Sequence, residues 1–527
     1  MITLGALTYN QEVINSFKFQ IVTTTPNETV TLPILAGGVT KIQNFTAYWG
    51  DTTSSEITAY NDPDRIHTYV VAGTYDIEMI GKSEYLAYSS TTVAERNKVR
   101  KLLAFTGDMG FKVLNFYGCT NLNSIVSFGT LASWTTASNL FFNCESLTGL
   151  VSGMFDGCRA INNLSNAFEQ CDNASFTTIP NDLFKYVTNN TTFKSTFSSC
   201  SKITTIPTDL FRYNVATNNF FQTFYGCSSL TSIPTDIFRY NVLVTSFSIA
   251  FYGCSSLTSI PIDIFRYNTL ASNFTGTFTG CTSLTSIPVD TFRYNTLATS
   301  FSECFRSCTG ITTIPDDLFK YNTAVTSFNE VFSTCSALTA IPTDLFKYNV
   351  SVTTMSYVFN ACSEITSIPT DLFRYNTLVT TFARAFSVCT KLTTVPTDIF
   401  RYNTACVSFT YVFNGCSVLA SVPDDLFRYN TLVTIFTYSF MNCVKLQVNA
   451  TIFYADGEQA TRFLNKTVSF SSCFNRSSFS GTIGTAPDLW NCDFGTGTPT
   501  KTNCYGGAGN SLTSLSNYAD IPVAWRT

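Results

Sequence analysis

The chain has 527 residues, of which 45% are hydrophobic and 13% are charged. This length exceeds the size at which one hydrophobic core keeps growing, so it predicts several domains or a repeat array whose core lengthens unit by unit. The formal charge of −4, from 31 basic and 35 acidic residues, argues against nucleic acid and acidic membranes as partners.

The N-terminal residues and the hydropathy pattern bear on membrane association and export. No run of about 18 apolar residues occurs, so neither a transmembrane helix nor membrane insertion is predicted. The first residues, MITLGALTYNQEVINSFKFQIV, lack the basic, apolar and small-residue regions of a Sec signal peptide. We therefore expect that a signal was removed and replaced by Met, or that the protein reaches its destination without one.

Three short motifs mark the first 85 residues: Trp49-Gly50-Asp51, His67-Thr68-Tyr69 and Ala72-Gly73-Thr74-Tyr75. The alternating stretch 75–80 is typical of a half-exposed strand. The motifs resemble the signature of PKD-type immunoglobulin-like domains, although Thr52 stands where a glycine is usual. The resemblance implies an N-terminal all-β sandwich at residues 1–85.

An internal repeat of 27 residues follows, with the pattern F-x-x-x-F-x-x-C-x-x-[LI]-x-x-[IV]-P-x-D-x-F-[RK]-Y-N. It places Pro at 180, 207, 234, 261, 288, 315, 342, 369, 396 and 423, and Cys at 200, 227, 254, 281, 308, 335, 362, 389, 416 and 443. Less regular copies of F-x-x-C occur at Phe116/Cys119, Phe141/Cys144, Phe168/Cys171 and Phe470/Cys473. The array is therefore predicted at 86–475, regular from about 180 to 446, with a C-terminal cap at 476–527.

Within one repeat, Phe220, Phe224 and Cys227 stand at i, i+4 and i+7, which predicts one face of a short helix. Leu230 and Ile233 continue the apolar pattern into a short strand. No single unit could bury these residues alone, so the units must stack on a shared core. The predicted fold is an α/β solenoid of leucine-rich-like repeats, each with a short strand, a turn and a short helix.

The segment FYGCSSLTSIPTDIF and its copies resemble BspA-type, or Treponema-type, leucine-rich repeats, which couple A-F-x-x-C-x-x-L to a following I-P. The resemblance covers some 370 residues of the chain, and it differs in having a longer period and a shorter strand. It implies a surface protein with a binding role. PKD-like domains ahead of such repeats are the layout of surface adhesins.

The 19 cysteines mostly recur once per repeat, which is the pattern of a buried core position, so we expect free thiols. Cys492 and Cys504 are the one pair outside the repeat that is close enough in sequence to consider for a disulfide.

Catalysis is not expected, because the chain has one histidine, His67, which lies in the H-T-Y motif. No metal site and no cofactor are predicted, since one His without a C-x-x-C pair cannot complete the usual zinc ligand sets. The Asn61–Asp64 turn suits Ca²⁺, but a polar surface turn is the preferred interpretation. Repeated Asp and Arg/Lys positions predict ion pairs between repeats, and a repeated Tyr predicts aromatic stacking.

Positions that vary between otherwise identical repeats are candidates for ligand recognition. Two residues after the first Phe, the later repeats carry Tyr357, Arg384, Tyr411 and Tyr438, which are residue types enriched at binding hot spots. These four residues are the candidate ligand-binding site. Chance variation on an exposed face is the alternative interpretation.

Two classes of function fit these patterns. The first is a non-catalytic adhesion or fibre protein that binds a host-surface glycan or protein. Because no signal peptide is evident, we expect a bacteriophage virion component, such as a fibre, decoration or host-attachment protein, with a bacterial cell-surface or secreted adhesin as the alternative. The second class is a rod-like spacer that binds no ligand. Contacts with other virion or surface structural proteins, and homo-oligomers, are further expectations.

Overall fold

A computed structural model describes residues 14–34, 43–475, 484–506 and 515–527. The chain forms two compact units, Met1–Thr217 and Asn218–Thr527. Each repeat forms one turn of the solenoid, here called a coil. The paired strands and the first coils lie in the first unit, and the regular coils from residue 218 onward lie in the second. No helix in these ranges is long and apolar enough to cross a membrane.

The first unit begins with two-stranded and five-stranded sheets. Their strands are β1 (Ser16–Val22), β2 (Glu28–Thr31), β3 (Gln43–Tyr48), β4 (Ser54–Ile57), β5 (Ile66–Tyr69), β6 (Thr74–Ser83), β7 (Tyr85–Ala87), β8 (Val99–Thr106) and β9 (Val113–Asn115). The antiparallel five-stranded sheet has the order β4-β3-β6-β1-β8, while β2 pairs with β5 and β7 pairs in parallel with β9.

Alternating apolar residues explain why these segments form a sheet with one buried face. In β1, Phe17, Phe19 and Ile21 are buried. In β6, Ile77 and Met79 are buried between more exposed neighbours, which confirms the half-exposed strand predicted at 75–80. Because β8 pairs with β1, the sheet draws on residues beyond the predicted boundary at 85.

Helices are few and short in the described residues. The α-helices are α1 (Val93–Arg96), α2 (Gln459–Arg462) and α3 (Val523–Arg526), and 3₁₀ turns lie at Pro63–Arg65, Tyr88–Ser90, Leu489–Asn491 and Tyr518–Asp520.

The helix predicted in each repeat is wrong, because the F-x-x-x-F-x-x-C segment forms successive tight turns. In the coil that begins at Phe247, the amides of Ala250, Tyr252 and Cys254 bond to carbonyls three residues earlier. The alternate amides bond to the next coil, as Ile249 N does to Thr275 O at 2.8 Å and Phe251 N does to Thr277 O at 3.0 Å. Ile249 has a φ of 48°, which an α-helix does not allow. A core residue at i, i+4 and i+7 is therefore compatible with turns as well as with a helix.

The short strand predicted at Leu230 and Ile233 is not formed there. Most coils instead have a single-residue parallel bridge just before their first core Phe. In the second unit these bridges join Asn219, Ser246, Asn273, Ser300, Ser327, Thr354, Thr381, Ser408, Ile435, Ser469 and Thr500 in succession. The stacked, core-sharing coils of the predicted solenoid are confirmed, with turns in place of helices.

Three columns of phenylalanine fill the interior of the second unit. Phe247, Phe251 and Phe265 represent them in one coil, and each is fully buried. Rings in a column stack on the next coil, as Phe251 does on Phe278 at a centroid distance of 5.7 Å. The columns explain the high Phe content, since each coil buries its rings against both neighbours.

A buried asparagine column joins the coils along a second line. The Nδ2 of Asn322 donates to Phe292 O at 3.0 Å and to Asn295 O at 2.9 Å, both on the preceding coil. The same two bonds recur for Asn268, Asn295, Asn349, Asn376, Asn403 and Asn430. Each amide group thereby gives two main-chain carbonyls, which already accept an amide within their own turn, a second donor from the next coil.

The last copy of the repeat has a different register from the one predicted. Phe470 stacks on Phe436 with an interplanar angle of 3°, and the amide of Phe440 bonds to Cys473 O. Cys473 therefore lies opposite Ser439 rather than in the cysteine column. The F-x-x-C pattern alone does not distinguish the two Phe columns from each other.

All 19 cysteines are free and buried, which confirms the expected thiols and leaves Cys492 and Cys504 unbonded to each other. Each thiol in the column donates to a carbonyl of the preceding coil, as Cys335 does to Phe305 O at 3.1 Å. Burial raises the pKa of Cys335 to about 12.

Thiol reactivity tests this arrangement. At pH 8 the raised pKa values keep the buried groups as thiols, and a thiolate-specific reagent should label few of the 19 in the native protein. Guanidinium should expose nearly all of them without added reductant. Several column members between Cys200 and Cys443 that react only after reduction would contradict the free-thiol structure.

Candidate functional site

The outer column consists of the residues two positions after the first Phe of each coil. In the second unit these are Gln222, Ile249, Gly276, Glu303, Glu330, Tyr357, Arg384, Tyr411 and Tyr438. All have a positive φ, between 48° and 62°. This left-handed backbone normally favours glycine, so a large side chain here costs conformational energy.

Backbone bonds hold the outer column at a fixed spacing. The amide of Tyr357 bonds to Ala383 O at 2.8 Å, and that of Arg384 bonds to Thr410 O at 2.8 Å. Tyr411 repeats the bond to Thr437 O at 2.9 Å. Because each residue is tied to the residue before its counterpart on the next coil, neighbouring side chains of the column stack on one another.

The four predicted site residues form one continuous group, here named the aromatic stack: Tyr357, Arg384, Tyr411 and Tyr438. The guanidinium of Arg384 lies 4.0 Å from the ring centroid of Tyr411 and 5.4 Å from that of Tyr357. The Tyr411 and Tyr438 rings are 4.4 Å apart at 19°. All four side chains are half-buried, so the structure brings together the residues that the sequence singled out.

Electrostatics within the stack favour the neutral phenol. Partial burial and the neighbouring Tyr438 raise the pKa of Tyr411, while the positive charge of Arg384 opposes the rise. Tyr411 therefore offers a hydroxyl donor beside a fixed cation throughout the physiological pH range.

Earlier members of the outer column are charged or apolar instead of aromatic. Arg306 pairs with Glu303 at 2.9 Å and with Glu330 at 3.2 Å. Partial burial raises the pKa of Glu330, and Arg306 opposes that effect. Ile249 lies across Gly276, where an added Cβ would stand 2.6 Å from the Ile249 methyl. The column thus changes from apolar to charged to aromatic along the chain.

The repeated charges pair within a coil rather than between coils, so the predicted inter-repeat ion pairs are wrong. Lys347, for example, contacts Asp344 at 2.9 Å. The link between coils is instead a cation over a ring, as Arg374 lies 5.2 Å from the Tyr402 centroid. The Asp three residues before each Lys or Arg, in the same turn, is nearer to the cation than the Asp of the next coil. This proximity explains why the ion pairs form within a coil.

The N-terminal motif residues have structural contacts. His67 Nε2 lies 2.7 Å from Asp51 Oδ2, and its ring stacks on Trp49. Partial burial opposes ionisation of Asp51, but hydrogen bonds from Thr53 and His67 lower its pKa overall. Asp62 accepts from the amides of Thr58 and Asp64, so its carboxylate closes the turn that was considered for calcium. Within the described ranges, no group of three or more His, Cys, Asp and Glu side chains is placed to hold a metal ion.

The sequence patterns missed two features of the second unit. The asparagine column, which ends at Asn430, and the buried Arg462 were not singled out. The invariant Asn after each repeated Tyr was a signal for the first. Arg462 lies where the repeat is interrupted, so its position had no counterpart to compare.

One family model matches part of the regular coils. Residues 299–425 match a family model described as "Mycoplasma protein of unknown function, DUF285", and this range includes Tyr357, Arg384 and Tyr411. A search of curated proteins finds no match.

Three solved structures are similar to this chain at low identity. A leucine rich cell surface protein from Faecalibacterium prausnitzii A2-165 has 17% identity and a TM-score of 0.34, over 76% of this chain and 93% of that one. The plant peptide hormone receptor RGFR1 in complex with RGF2 has 12% identity and a TM-score of 0.21, over 75% and 89%. The TLR13–ssRNA13 complex has 10% identity and a TM-score of 0.15, over 72% and 69%.

The ionisation of Tyr411 tests the geometry of the stack. Because Arg384 opposes the rise in pKa, Arg384→Gln should raise the pKa of Tyr411 further above its ordinary value of about 10. NMR of protein labelled at tyrosine Cζ measures this pKa, with Tyr411→Phe to assign the signal. An unchanged pKa in Arg384→Gln would show that the guanidinium does not lie over the ring.

Proposed function

We propose that this chain is a non-catalytic binding protein displayed on a bacterial surface, and that the aromatic stack is its ligand contact. The observation that carries the proposal is the stack itself. Four successive coils place Tyr, Arg, Tyr and Tyr at a backbone position that favours glycine. Rings and guanidinium groups that remain partly exposed are the side chains most enriched at binding hot spots.

The chemistry of the stack suits a glycan or a polar protein surface. A tyrosine ring offers an apolar face for the C–H groups of a sugar and a hydroxyl for hydrogen bonding. Arg384 adds donors between two rings, in a fixed fork geometry. The aromatic stack does not contain a nucleophilic side chain next to a general base, so its composition favours recognition over catalysis.

The proposed setting is the bacterial cell surface. The resemblance to BspA-type repeats, preceded by motifs that resemble a PKD-type domain, supports this setting. The bacteriophage virion interpretation depended on the first residues of the chain, and residues 1–13 lie outside the described ranges. No comparison with known proteins supports it. Under the surface proposal, the N-terminal domain serves as anchor or spacer, and contacts with other surface proteins or a second copy remain predictions.

Binding tests separate this proposal from a rod-like spacer without ligand. Tyr357, Tyr411 and Tyr438 are replaced together by Ser, a residue that already adopts the left-handed conformation at Ser472 in the next coil. The substitution therefore keeps the backbone while it removes three rings. On an array of surface glycans and on immobilised cell-envelope proteins, the variant should lose at least about tenfold in affinity.

The matched control changes the same backbone position elsewhere. Glu303→Ser with Glu330→Ser alters two outer-column residues outside the aromatic stack and should leave binding within about twofold. Binding by the well-folded triple variant at the level of the unchanged protein would remove the stack from the proposal. No specific binding by the unchanged protein would favour the spacer.

A further inference from the structure

The regular coils end at a cleft where the repeat is interrupted. Phe436 and Phe470 stack across neighbouring coils, so this coil has 34 residues where the earlier ones have 27. The additional residues include helix α2 and lead to Lys466. They build one wall of the cleft, and Arg428 and Tyr429 of the last regular coil build the other.

The series of repeated cations that lie over the repeated tyrosine rings ends at this cleft. In most of the regular coils the cation lies over the Tyr of the next coil, as Arg401 lies 4.6 Å from the Tyr429 centroid. Phe453 continues the Phe column by stacking on Phe427, and the two residues after it, Tyr454 and Ala455, provide neither the cation nor the outer ring. Arg428 instead pairs with Glu458 of the inserted segment at 2.8 Å.

The asparagine column also ends here, with an arginine in place of the next amide. Arg462 Nη2 donates to Phe427 O at 3.2 Å and to Asn430 O at 3.0 Å. These are the acceptors that the next Asn of the column would use. Arg462 Nε donates to Phe453 O at 3.0 Å, and Nη1 is buried without a partner. The end of the column therefore carries a positive charge, on a side chain that is only 6% exposed as a residue.

A second cation lies beside this buried guanidinium. Lys466 Nζ donates to Thr431 O at 2.7 Å and to Arg462 O at 3.2 Å, which leaves one ammonium hydrogen for a ligand. Burial lowers the pKa of Arg462 to about 10. Burial and the charge of Arg462 lower the pKa of Lys466. Among the described residues, neither Arg462 nor Lys466 forms an ion pair with a carboxylate, and Glu458 offsets the charge of Arg462 only in part. A bound anion would relieve the repulsion between the two cations.

We propose that this cleft binds the carboxylate or sulfate group of an acidic sugar. It has a volume of about 420 Å³, and Arg428, Arg462 and Lys466 face it against the single carboxylate of Glu458. The ring of Tyr429 lies in the same lining, which suits a saccharide better than an acidic peptide. The inference rests on the proposed surface-binding function and names a ligand class for a second site.

The test uses trigalacturonate as the probe and the full chain, with binding measured by calorimetry at low salt. Thr461→Glu places a carboxylate in the lining without removing any cation, and Thr461→Gln is the neutral control of equal size. Thr461→Glu should weaken trigalacturonate binding by at least about tenfold, while Thr461→Gln should stay within about threefold. Equal binding by the two variants would overturn the proposal.

A second pair of variants removes charge instead of adding it. Lys466→Met should weaken binding by about tenfold, and Lys445→Met, which removes an exposed cation of the same charge outside the cleft, should not. A neutral galactose trisaccharide that binds as tightly as trigalacturonate would overturn the anion site. Tighter binding of triglutamate would overturn the assignment to a sugar.

The aromatic stack and the cleft can be tested independently of each other. Replacement of Tyr357, Tyr411 and Tyr438 by Ser leaves the cleft residues intact, so this variant should still bind trigalacturonate. Loss of trigalacturonate binding in that variant would contradict the separate cleft. Failure of the envelope-binding test with retained trigalacturonate binding would remove the aromatic stack alone.

Discussion

The stacking of coils depends on a side chain that can donate to two buried carbonyls of the neighbouring coil at once. Asparagine has two N–H donors on a short, planar amide, and in each regular coil these groups reach the Phe and Asn carbonyls of the coil before. Aspartate lacks the donors, and glutamine is one methylene longer. Both carbonyls also accept an amide within their own turn, so each side-chain bond adds a net contribution of about 0.5–1.5 kcal/mol to the contact between coils. The paired bonds, 30 and 27 residues apart in sequence, therefore favour a constant coil length.

The constant coil length has consequences at both sites. Along the outer column it gives successive side chains the same spacing, so that Arg384 can lie between Tyr357 and Tyr411. At the end of the regular coils, no further Asn donates to the same two acceptors. Arg462 fills this position and brings an unpaired positive charge into the adjoining cleft. The same pair of main-chain acceptors is thus used in the regular coils and at their interruption.

The sequence predicted the period, the shared core, the free cysteines and the outward position of Tyr357, Arg384, Tyr411 and Tyr438, because each recurs at a fixed spacing. It did not predict the turns, since Phe at i and i+4 suits a helix equally well. Gly226, Gly253 and Gly280, all with positive φ, were a usable signal against a helix. The cleft was beyond prediction, because α2 and Lys466 occur once and their position depends on where the Phe columns resume at Phe470.

The most direct measurement of the central claim is amide hydrogen exchange around Asn322. Asn322→Ala removes the buried inter-coil donor to Phe292 O and Asn295 O, and Thr326→Ala removes an exposed inter-coil bond to Thr299 O as the matched control. Mass spectrometry of peptides covering residues 292–349 should show exchange faster by about 10- to 100-fold in Asn322→Ala and nearly unchanged in Thr326→Ala. Equal exchange in the two variants would contradict the role of the asparagine column.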